Sequence, residues 1–343
     1  MLQQLEYWPE DLYECETADL FRVLGGPSLI HVPGRREPAL FVSVLLHGNE
    51  SSGWLALRRL MEKYRGAVLP RSLSVLVGNV LAARDGLRCC PGQADYNRVW
   101  LAGTTPEHRM AAKVLEEMRR RGVFAGIDVH NNTGINPHYV CVNRLENSFF
   151  QLATLFSRTV VYFTKPEGVQ TSAFAEFCPA VTLECGQPGE ERGIAHAQEY
   201  LEACLHLAEI PRHPISRHDI DLYHTVAIVK LPDDVSIGFG KEAADFQLDA
   251  DLDRLNFTEL PEGTFLGRIR DGCEARLVVA DISGREVGEN YLDYRQGEIR
   301  TKVKLMPSML TRNLSVIRQD CLGYFMERIE FEKPYCHPGE QEE

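Results

Sequence analysis

The chain has 343 residues, of which 44% are hydrophobic and 25% are charged, a balance that fits a folded globular protein and excludes a largely disordered one. Its net charge of -12 at pH 7 opposes binding to phosphate backbones, so we expect no nucleic-acid partner. The cysteines form no C-x-x-C pair, the start has no apolar leader, and no apolar run reaches membrane-spanning length, so the sequence predicts a cytoplasmic protein without a membrane segment.

Strand-like and helix-like segments alternate through the first two-thirds of the chain. Continuous apolar runs predict buried strands, and apolar residues at helical spacing predict helices. The predicted elements are a strand over 39–46, a helix over 52–64, a strand over 73–80, a helix over 106–121, a strand over 124–130, a helix over 145–160, a strand over 180–184 and a helix over 191–209. This alternation predicts an α/β fold with a mixed, mostly parallel sheet flanked by helices.

The character of the sequence changes near residue 211. Beyond it, short β-branched runs such as TVAIVKL and ARLVVADI are separated by Gly, Pro and Asp. That pattern predicts a smaller, all-β C-terminal domain. We therefore predict a catalytic domain over residues 1–211 and a β-rich domain over residues 212–343.

Polar residues of catalytic type follow the predicted strands. In open α/β sheets, ligands bind beyond the carboxyl ends of the strands. The residues at these positions are His47 and Glu50 after the first strand, Arg88, Asn97 and Arg98 in the loop after the second, His130 and Asn131 at the third, and Glu184 at the fourth. One edge of the sheet is therefore predicted to hold a functional site.

Three of these residues have the chemistry of a zinc site. His47 and Glu50 are spaced H-x-x-E in a strand-to-helix turn, where Gly48 permits a sharp bend, and His130 is the third candidate ligand. Two imidazoles and a carboxylate suit zinc better than a cation that prefers only oxygen ligands. A catalytic zinc keeps a fourth position for water, so we predict one Zn²⁺ per chain with Glu184 as general base.

Taken singly, each residue also has a structural interpretation. An H-x-x-E spacing often arises by chance, His130 could be a hydrogen-bonded loop histidine, and Glu184 could cap the next element. Asp128 could accept a hydrogen bond from a ligand histidine or could cap a loop, with equal weight. The placement of all these residues at strand ends is what favours a site.

The ordered segments HGNExxG, DYNR, DVHNNTG and LECG, within about residues 39–190, resemble the M14 zinc carboxypeptidase superfamily, and most closely its succinylglutamate desuccinylase/aspartoacylase branch. The resemblance implies that His47, Glu50 and His130 hold zinc and that Glu184 is the base. It also implies that Asn97 and Arg98 bind substrate, with Arg98 holding a carboxylate. The C-terminal β-rich part is similar to that branch as well.

Further roles follow from the same resemblance. Arg88 matches the arginine that polarises the substrate carbonyl, although the segment RCCPGQADYNR is slightly longer than its counterpart. Asn131 is a candidate for the substrate pocket, and the active-site tyrosine of the family is matched by Tyr291 or Tyr294. The segment TSAFAEFCPAVTLE lacks the arginine that precedes the base in aspartoacylase, which weighs against N-acetylaspartate as the substrate.

These features predict a zinc-dependent amide hydrolase that acts on a small N-acyl amino acid bearing a carboxylate. A metallocarboxypeptidase acting on peptides is the alternative, since it uses the same metal chemistry in a more open cleft. A catalytically inactive metal-binding protein is a third interpretation, which the presence of Glu184 disfavours. The acyl group, the amino acid and the oligomeric state, a homo-oligomer included, stay open.

Overall fold

The computed structural model describes residues 2–330, which form two compact units. The first unit contains the chain up to Asn131 together with His138–Leu222, and the second contains Asn132–Pro137 and Tyr223–Ile329. The predicted division at residue 211 stays a prediction. The last part of the predicted C-terminal domain, residues 331–343, lies outside the described residues.

The first unit is built around a long sheet. Its strands are β1 (Gln3–Leu5), β2 (Ser28–Val32), β3 (Ala39–Val44), β4 (Leu73–Val77), β5 (Val123–His130), β6 (Tyr139–Val142), β7 (Thr159–Tyr162) and β8 (Ala180–Glu184). They lie in the order β1-β2-β4-β3-β5-β8-β6-β7. Neighbours pair in parallel except β2 with β4 and β6 with β8, so the sheet is mixed and mostly parallel, as predicted.

Helices accompany these strands. They are α1 (Leu20–Leu24), α2 (Ser52–Lys63), α3 (Val80–Arg84), α4 (Pro106–Arg121), α5 (Asn147–Thr154), α6 (Gln170–Phe174) and α7 (Glu191–His206), with 3-10 turns at Glu10–Leu12 and Thr17–Asp19. The start of α4 follows local chemistry, because the Thr105 side chain caps it and Pro106 occupies its first turn. Within residues 2–330, no helix combines the length and apolar character needed to cross a membrane.

The helix predicted over residues 145–160 is wrong in its second half. Helix α5 ends at Thr154, and Thr159–Tyr162 form strand β7. The side chains of Thr159, Val160 and Val161 are β-branched and favour extended backbone. Strand β7 pairs in parallel with β6, a short strand that the periodicity of the sequence did not predict.

The chain changes direction within the sheet at β3. It passes from β3 to β4 on one side of β3, and then through α4 to β5 on the other side. Such a reversal opens a crevice beyond the carboxyl ends of the strands. Because β3, β5 and β8 are neighbouring parallel strands, the residues that follow them converge at one edge of the sheet.

The second unit is mostly β-structure. Its elements are β9 (Asp221–Lys230), β10 (Ile237–Phe239), β11 (Phe246–Leu248), a 3-10 turn (Leu252–Leu255), β12 (Phe265–Ile269), β13 (Val278–Asp281), α8 (Gly288–Tyr291), β14 (Leu292–Arg295), β15 (Glu298–Thr301), β16 (Met306–Ser308), α9 (Leu314–Gln319) and β17 (Gly323–Arg328). One sheet has the order β10-β11-β12-β15-β14. Strand β9 pairs with β13 and β17, and β17 with β16. The five-stranded sheet β10-β11-β12-β15-β14 confirms the predicted β-rich C-terminal region.

Phe174 of α6 packs against the sheet of the first unit. Its ring is fully buried and stacks on Phe41 of β3, with 4.3 Å between the ring centroids. We expect Phe174→Ala to lower the free energy of unfolding in urea by about 3–5 kcal/mol, because it leaves a cavity between helix and sheet. Leu155→Ala, at an exposed position, is the control and should change it by less than about 0.5 kcal/mol. Equal losses in the two variants would contradict this packing.

Candidate metal centre

The segment after β3 brings His47 and Glu50 to the edge of the sheet. Glu50 lies just before α2, which begins at Ser52. Close packing requires a glycine at position 48, since a Cβ there would lie 2.3 Å from the backbone nitrogen of Ala83. The sequence predicts that Gly48 permits a sharp bend, and in the structure its backbone does not adopt the left-handed conformation. Gly48 therefore serves the approach of this turn to α3.

His130 ends β5, and Glu184 ends the neighbouring strand β8. The two residues lie directly opposite each other in the parallel register. Gly53, in the first turn of α2, allows the helix to approach β5, because a Cβ there would come within 2.9 Å of the Val129 Cβ. Two adjacent strands and the start of one helix therefore place the predicted ligands and the predicted base together.

The three predicted metal ligands converge. His47 Nδ1 lies 2.8 Å from Glu50 Oε1, and His130 Nδ1 lies 2.7 Å from Glu50 Oε2. One donor atom from each residue can be chosen so that all three lie within 4.8 Å of one another. All three side chains are buried. The structure thus brings together residues that are far apart in the sequence and have the donor types of a metal site.

The outer nitrogen of each histidine faces an aspartate. His47 Nε2 lies 3.1 Å from Asp95 Oδ1, and His130 Nε2 lies 2.7 Å from Asp128 Oδ2. A carboxylate in this position holds the imidazole proton on Nε2, which leaves Nδ1 as the donor for a metal. Both rings are therefore fixed so that Nδ1 faces the same point beside Glu50.

The sequence predicts no role for Asp95 and leaves two alternative roles open for Asp128. Asp128 and His130 are two residues apart on β5, and such residues share one face of a strand, so their contact had a local signal. Asp128 also accepts a hydrogen bond from Ser43 Oγ at 2.7 Å. Asp95 had a weaker signal, its place in the DYNR segment, because its contact with His47 depends on how a long loop folds.

Opposite charges shift the pKa values of the centre. Burial and the nearby Arg88 lower the pKa of His47, but Glu50 and Asp95 together outweigh them and raise it. Burial also lowers the pKa of His130, whereas Asp128 and Glu50 raise it well above its ordinary value. Burial raises the pKa of Glu50, yet the two imidazoles hold it well below its usual range. Imidazoles and carboxylates therefore alternate along this centre, and the carboxylates favour the protonated form of both rings.

This donor set fits a zinc ion. Two imidazole nitrogens and one carboxylate are ordinary zinc ligands, and a catalytic zinc has three protein ligands. Mg²⁺ and Ca²⁺ prefer oxygen ligands, so two nitrogen donors disfavour them. The aspartates behind His47 and His130 provide the orienting hydrogen bonds that metal-binding histidines need.

Arg88 borders the metal ligands. Its Nη2 lies 3.1 Å from Asp95 Oδ2, and its Nη1 lies 3.9 Å from Glu50 Oε1. Arg98 lies farther along the same loop and is half-buried, and its Nη1 donates a hydrogen bond to the carbonyl oxygen of Asn97 at 2.8 Å. Two guanidinium groups therefore lie in the loop that contributes Asp95, and their predicted roles stay predictions.

Asn97 is held beside His130. Its Oδ1 accepts a hydrogen bond from the backbone nitrogen of Gln170 at 2.9 Å, and its Nδ2 lies 3.2 Å from His130 Nε2. When His130 Nε2 donates its proton to Asp128, it cannot also accept one from Asn97. The Asn97 amide then keeps an N–H group for another acceptor, and the predicted substrate role of Asn97 stays a prediction.

Asn131 follows His130, and its side chain is buried. Its Nδ2 donates to Ser52 Oγ at 3.0 Å and to the carbonyl oxygen of Gly186 at 2.9 Å. Its Oδ1 accepts from the backbone nitrogen of Ser52 at 3.2 Å. These bonds lie within the protein, and the predicted contact of Asn131 with substrate stays a prediction.

Tyr291 and Tyr294 belong to the second unit, where both pack against its hydrophobic core. The ring of Tyr291 lies 5.6 Å from that of Phe325, and burial raises its pKa. The hydroxyl of Tyr294 accepts a hydrogen bond from the backbone nitrogen of Leu277 at 3.1 Å, and burial raises its pKa to about 12. The predicted contact of either tyrosine with substrate stays a prediction.

Known proteins share a family model and a fold with this chain. The family model of the succinylglutamate desuccinylase/aspartoacylase catalytic domain matches residues 36–207, half of the chain. Succinylglutamate desuccinylase from Chromobacterium violaceum has a similar structure, with 17% identity, a TM-score of 0.54 and 86% of each chain covered. The match to succinylglutamate desuccinylase from Vibrio cholerae has 13% identity, a TM-score of 0.60 and coverage of 88% of this chain and 86% of that one. Murine aminoacylase 3 matches with 14% identity, a TM-score of 0.54 and coverage of 86% of this chain and 97% of that one.

At these identities, the similar structures establish a shared fold. No curated protein matches the chain.

The raised pKa values of His47 and His130 predict a pH-dependent zinc affinity. Zinc must displace the Nδ1 protons, so affinity is greatest above the raised pKa values and falls below them, with up to about two protons released per ion. Competition with a chromophoric chelator, from about pH 9 down to about pH 5, measures this affinity.

Asp128→Asn is the informative variant in the same experiment. It should weaken zinc binding about 10–100-fold at high pH, because His130 loses its orienting carboxylate. It should also move the fall in affinity to lower pH, because Asp128 raises the pKa of His130. A zinc affinity that does not change with pH in the native protein would contradict a site with two histidines.

Proposed function

The chain belongs to the succinylglutamate desuccinylase/aspartoacylase family, and from this premise we propose that it is a zinc-dependent hydrolase that removes the acyl group from a small N-acyl amino acid. The observation that carries the proposal is the convergence of His47, Glu50 and His130 on one point, with Glu184 opposite His130 on the next strand. The similar structures named desuccinylase and aminoacylase support the substrate class.

His47, Glu50 and His130 would hold the zinc ion. An ion bound there would polarise the substrate carbonyl and lower the pKa of a water molecule. Glu184 would take a proton from the attacking water and then give a proton to the leaving amine nitrogen. Its position at the end of a buried strand supports this role, because a strand holds a side chain more rigidly than a loop does.

The two loop arginines would act on the negative charges of the substrate. Arg88 would stabilise the charge that develops on the carbonyl oxygen, since its guanidinium already lies beside the metal ligand Glu50. Arg98 would bind the substrate carboxylate, because a planar guanidinium can form two parallel hydrogen bonds with it. Asn97 would add a neutral donor next to Arg98.

The arginines of this site could hold an anionic substrate although the protein as a whole is acidic. The net charge of -12 repels anions at a distance, and Arg88, Arg98 and a bound cation would supply local attraction. A metallocarboxypeptidase could use the same residues for the terminal carboxylate of a peptide. The similar structures named desuccinylase and aminoacylase favour the small acyl amino acid.

The activity is tested with zinc-loaded protein on a panel of N-acyl amino acids and short peptides. We expect acyl release from an N-acyl amino acid, loss of activity with a chelator and recovery with zinc. Glu184→Gln should retain zinc and lower kcat by about 10²–10⁴-fold, because it removes the base. Cleavage of peptides alone would support the carboxypeptidase, and zinc binding without any turnover would support a non-catalytic protein.

Arg98 is tested by its effect on KM. Arg98→Ala should raise KM about 10–100-fold for a substrate with the carboxylate, because a hydrogen-bonded charge pair is lost. Arg98→Lys should have an intermediate effect, since lysine keeps the charge but not the two parallel bonds. Arg144→Ala removes an exposed arginine paired with Glu146 and serves as the control. Unchanged kinetics in Arg98→Ala would contradict the carboxylate contact.

A further inference from the structure

The amide of Asn131 uses all of its hydrogen-bonding groups on two other segments. Its oxygen accepts from the backbone nitrogen of Ser52, and its nitrogen donates to Ser52 Oγ and to the carbonyl oxygen of Gly186. Asn131 and Ser52 are both buried. One side chain therefore joins the end of β5 to the start of α2 and to the loop after β8.

These two segments carry residues of the proposed active site. Glu50 lies just before α2, and Glu184 lies two residues before Gly186. The backbone nitrogen of Asn131 also donates to Glu50 Oε2 at 3.1 Å. Asn131 therefore contacts a metal ligand through its backbone and holds the loop of the base through its side chain.

The loop after β8 has little freedom at Gly186. The backbone nitrogen of Cys185 donates to the carbonyl oxygen of His130 at 3.0 Å. Gly186 has a left-handed backbone, and a Cβ there would lie 2.9 Å from Glu190 Oε2 and 3.2 Å from His138 Nε2. Glu190 and His138 therefore confine the loop at Gly186. The hydrogen bond from Asn131 to the Gly186 carbonyl oxygen links this loop to the start of α2.

We propose that Asn131 is a positioning residue that fixes Glu184 relative to the metal ligand Glu50. The inference rests on the proposed function, and it gives Asn131 a role other than the substrate contact predicted from the sequence. The position requires an amide, because only one acceptor and two donors in one plane satisfy Ser52 and Gly186 together. Displacement of a reacting group by about 1 Å costs roughly 10²-fold in rate, so the bond to the Gly186 carbonyl matters for turnover.

Asn131→Asp tests this role. The variant keeps the size of the side chain but loses both N–H donors, so the bonds to Ser52 Oγ and the Gly186 carbonyl are lost. We expect kcat to fall roughly 10²-fold, with KM within about threefold of the native value. A rise in KM at unchanged kcat would overturn the proposal, because it would show that Asn131 binds substrate.

Asn143→Asp is the matched control. Asn143 follows β6 and donates its amide to the carbonyl oxygen of Phe163 at 3.1 Å. It lies beyond the end of β6 that pairs with Val181, whereas Tyr139 at the other end pairs with Glu184. The same chemical change at this position should leave kcat and KM within about twofold of native values.

A double-mutant cycle separates positioning from a general structural effect. In the Glu184→Gln background there is no base left to position, so adding Asn131→Asp should lower the residual kcat by less than about threefold. A full further loss of roughly 10²-fold would overturn the proposal. If Asn131→Asp does not fold, Asn131→Gln replaces it, since that variant keeps the amide and shifts it by one methylene group.

Hydrogen exchange gives a readout that does not depend on activity. Amides of residues 185–190 should exchange faster in the Asn131 variant than in the native protein and in Asn143→Asp, with zinc bound in all three. Unchanged exchange in this segment would overturn the proposal. Failure of the native protein on every substrate would instead refute the proposed function, and the exchange result would still decide whether Asn131 holds the loop.

Discussion

The Glu50 carboxylate lies between two buried imidazoles, and the other residues of the candidate metal centre are arranged around these two contacts. Asp95, His47, Glu50, His130 and Asp128 form a row in which carboxylates and imidazoles alternate, with contacts of 2.7–3.1 Å. Burying a single charge is costly, whereas a buried charge with close partners on both sides can be stable. Each ring nitrogen faces its own carboxylate oxygen, so neither ring can turn without leaving a buried group unpaired.

The fold explains how these five side chains are held together in a largely buried position. They come from three separate parts of the chain, and the reversal of direction at β3 brings the ends of those parts together. The glycines of the HGNExxG segment contribute through packing: Gly48 lets the turn approach α3, and Gly53 lets α2 approach β5. The segment therefore combines two ligands with the two close contacts that hold them at the edge of the sheet.

Much of this arrangement could be predicted from the sequence, and the exceptions have physical causes. The limits of α4 and β8 agree with prediction because a proline, a cap and an apolar run are strong local signals. The four-residue strands β6 and β7 are too short to show a period in the sequence. The helix predicted over residues 145–160 therefore overlaps the start of β7. Asp95 contacts His47 only through the fold of a loop, and the bonds of Asn131 to Ser52 and Gly186 depend on three segments meeting.

Charge balance explains why a divalent cation suits the row. Glu50 and the two aspartates raise the pKa values of His47 and His130, so these carboxylates favour positive charge at the two rings. A zinc ion held by the two rings and Glu50 would bring positive charge to this position. The electrostatic field that raises the pKa values of both imidazoles is therefore one that would also favour a bound divalent cation.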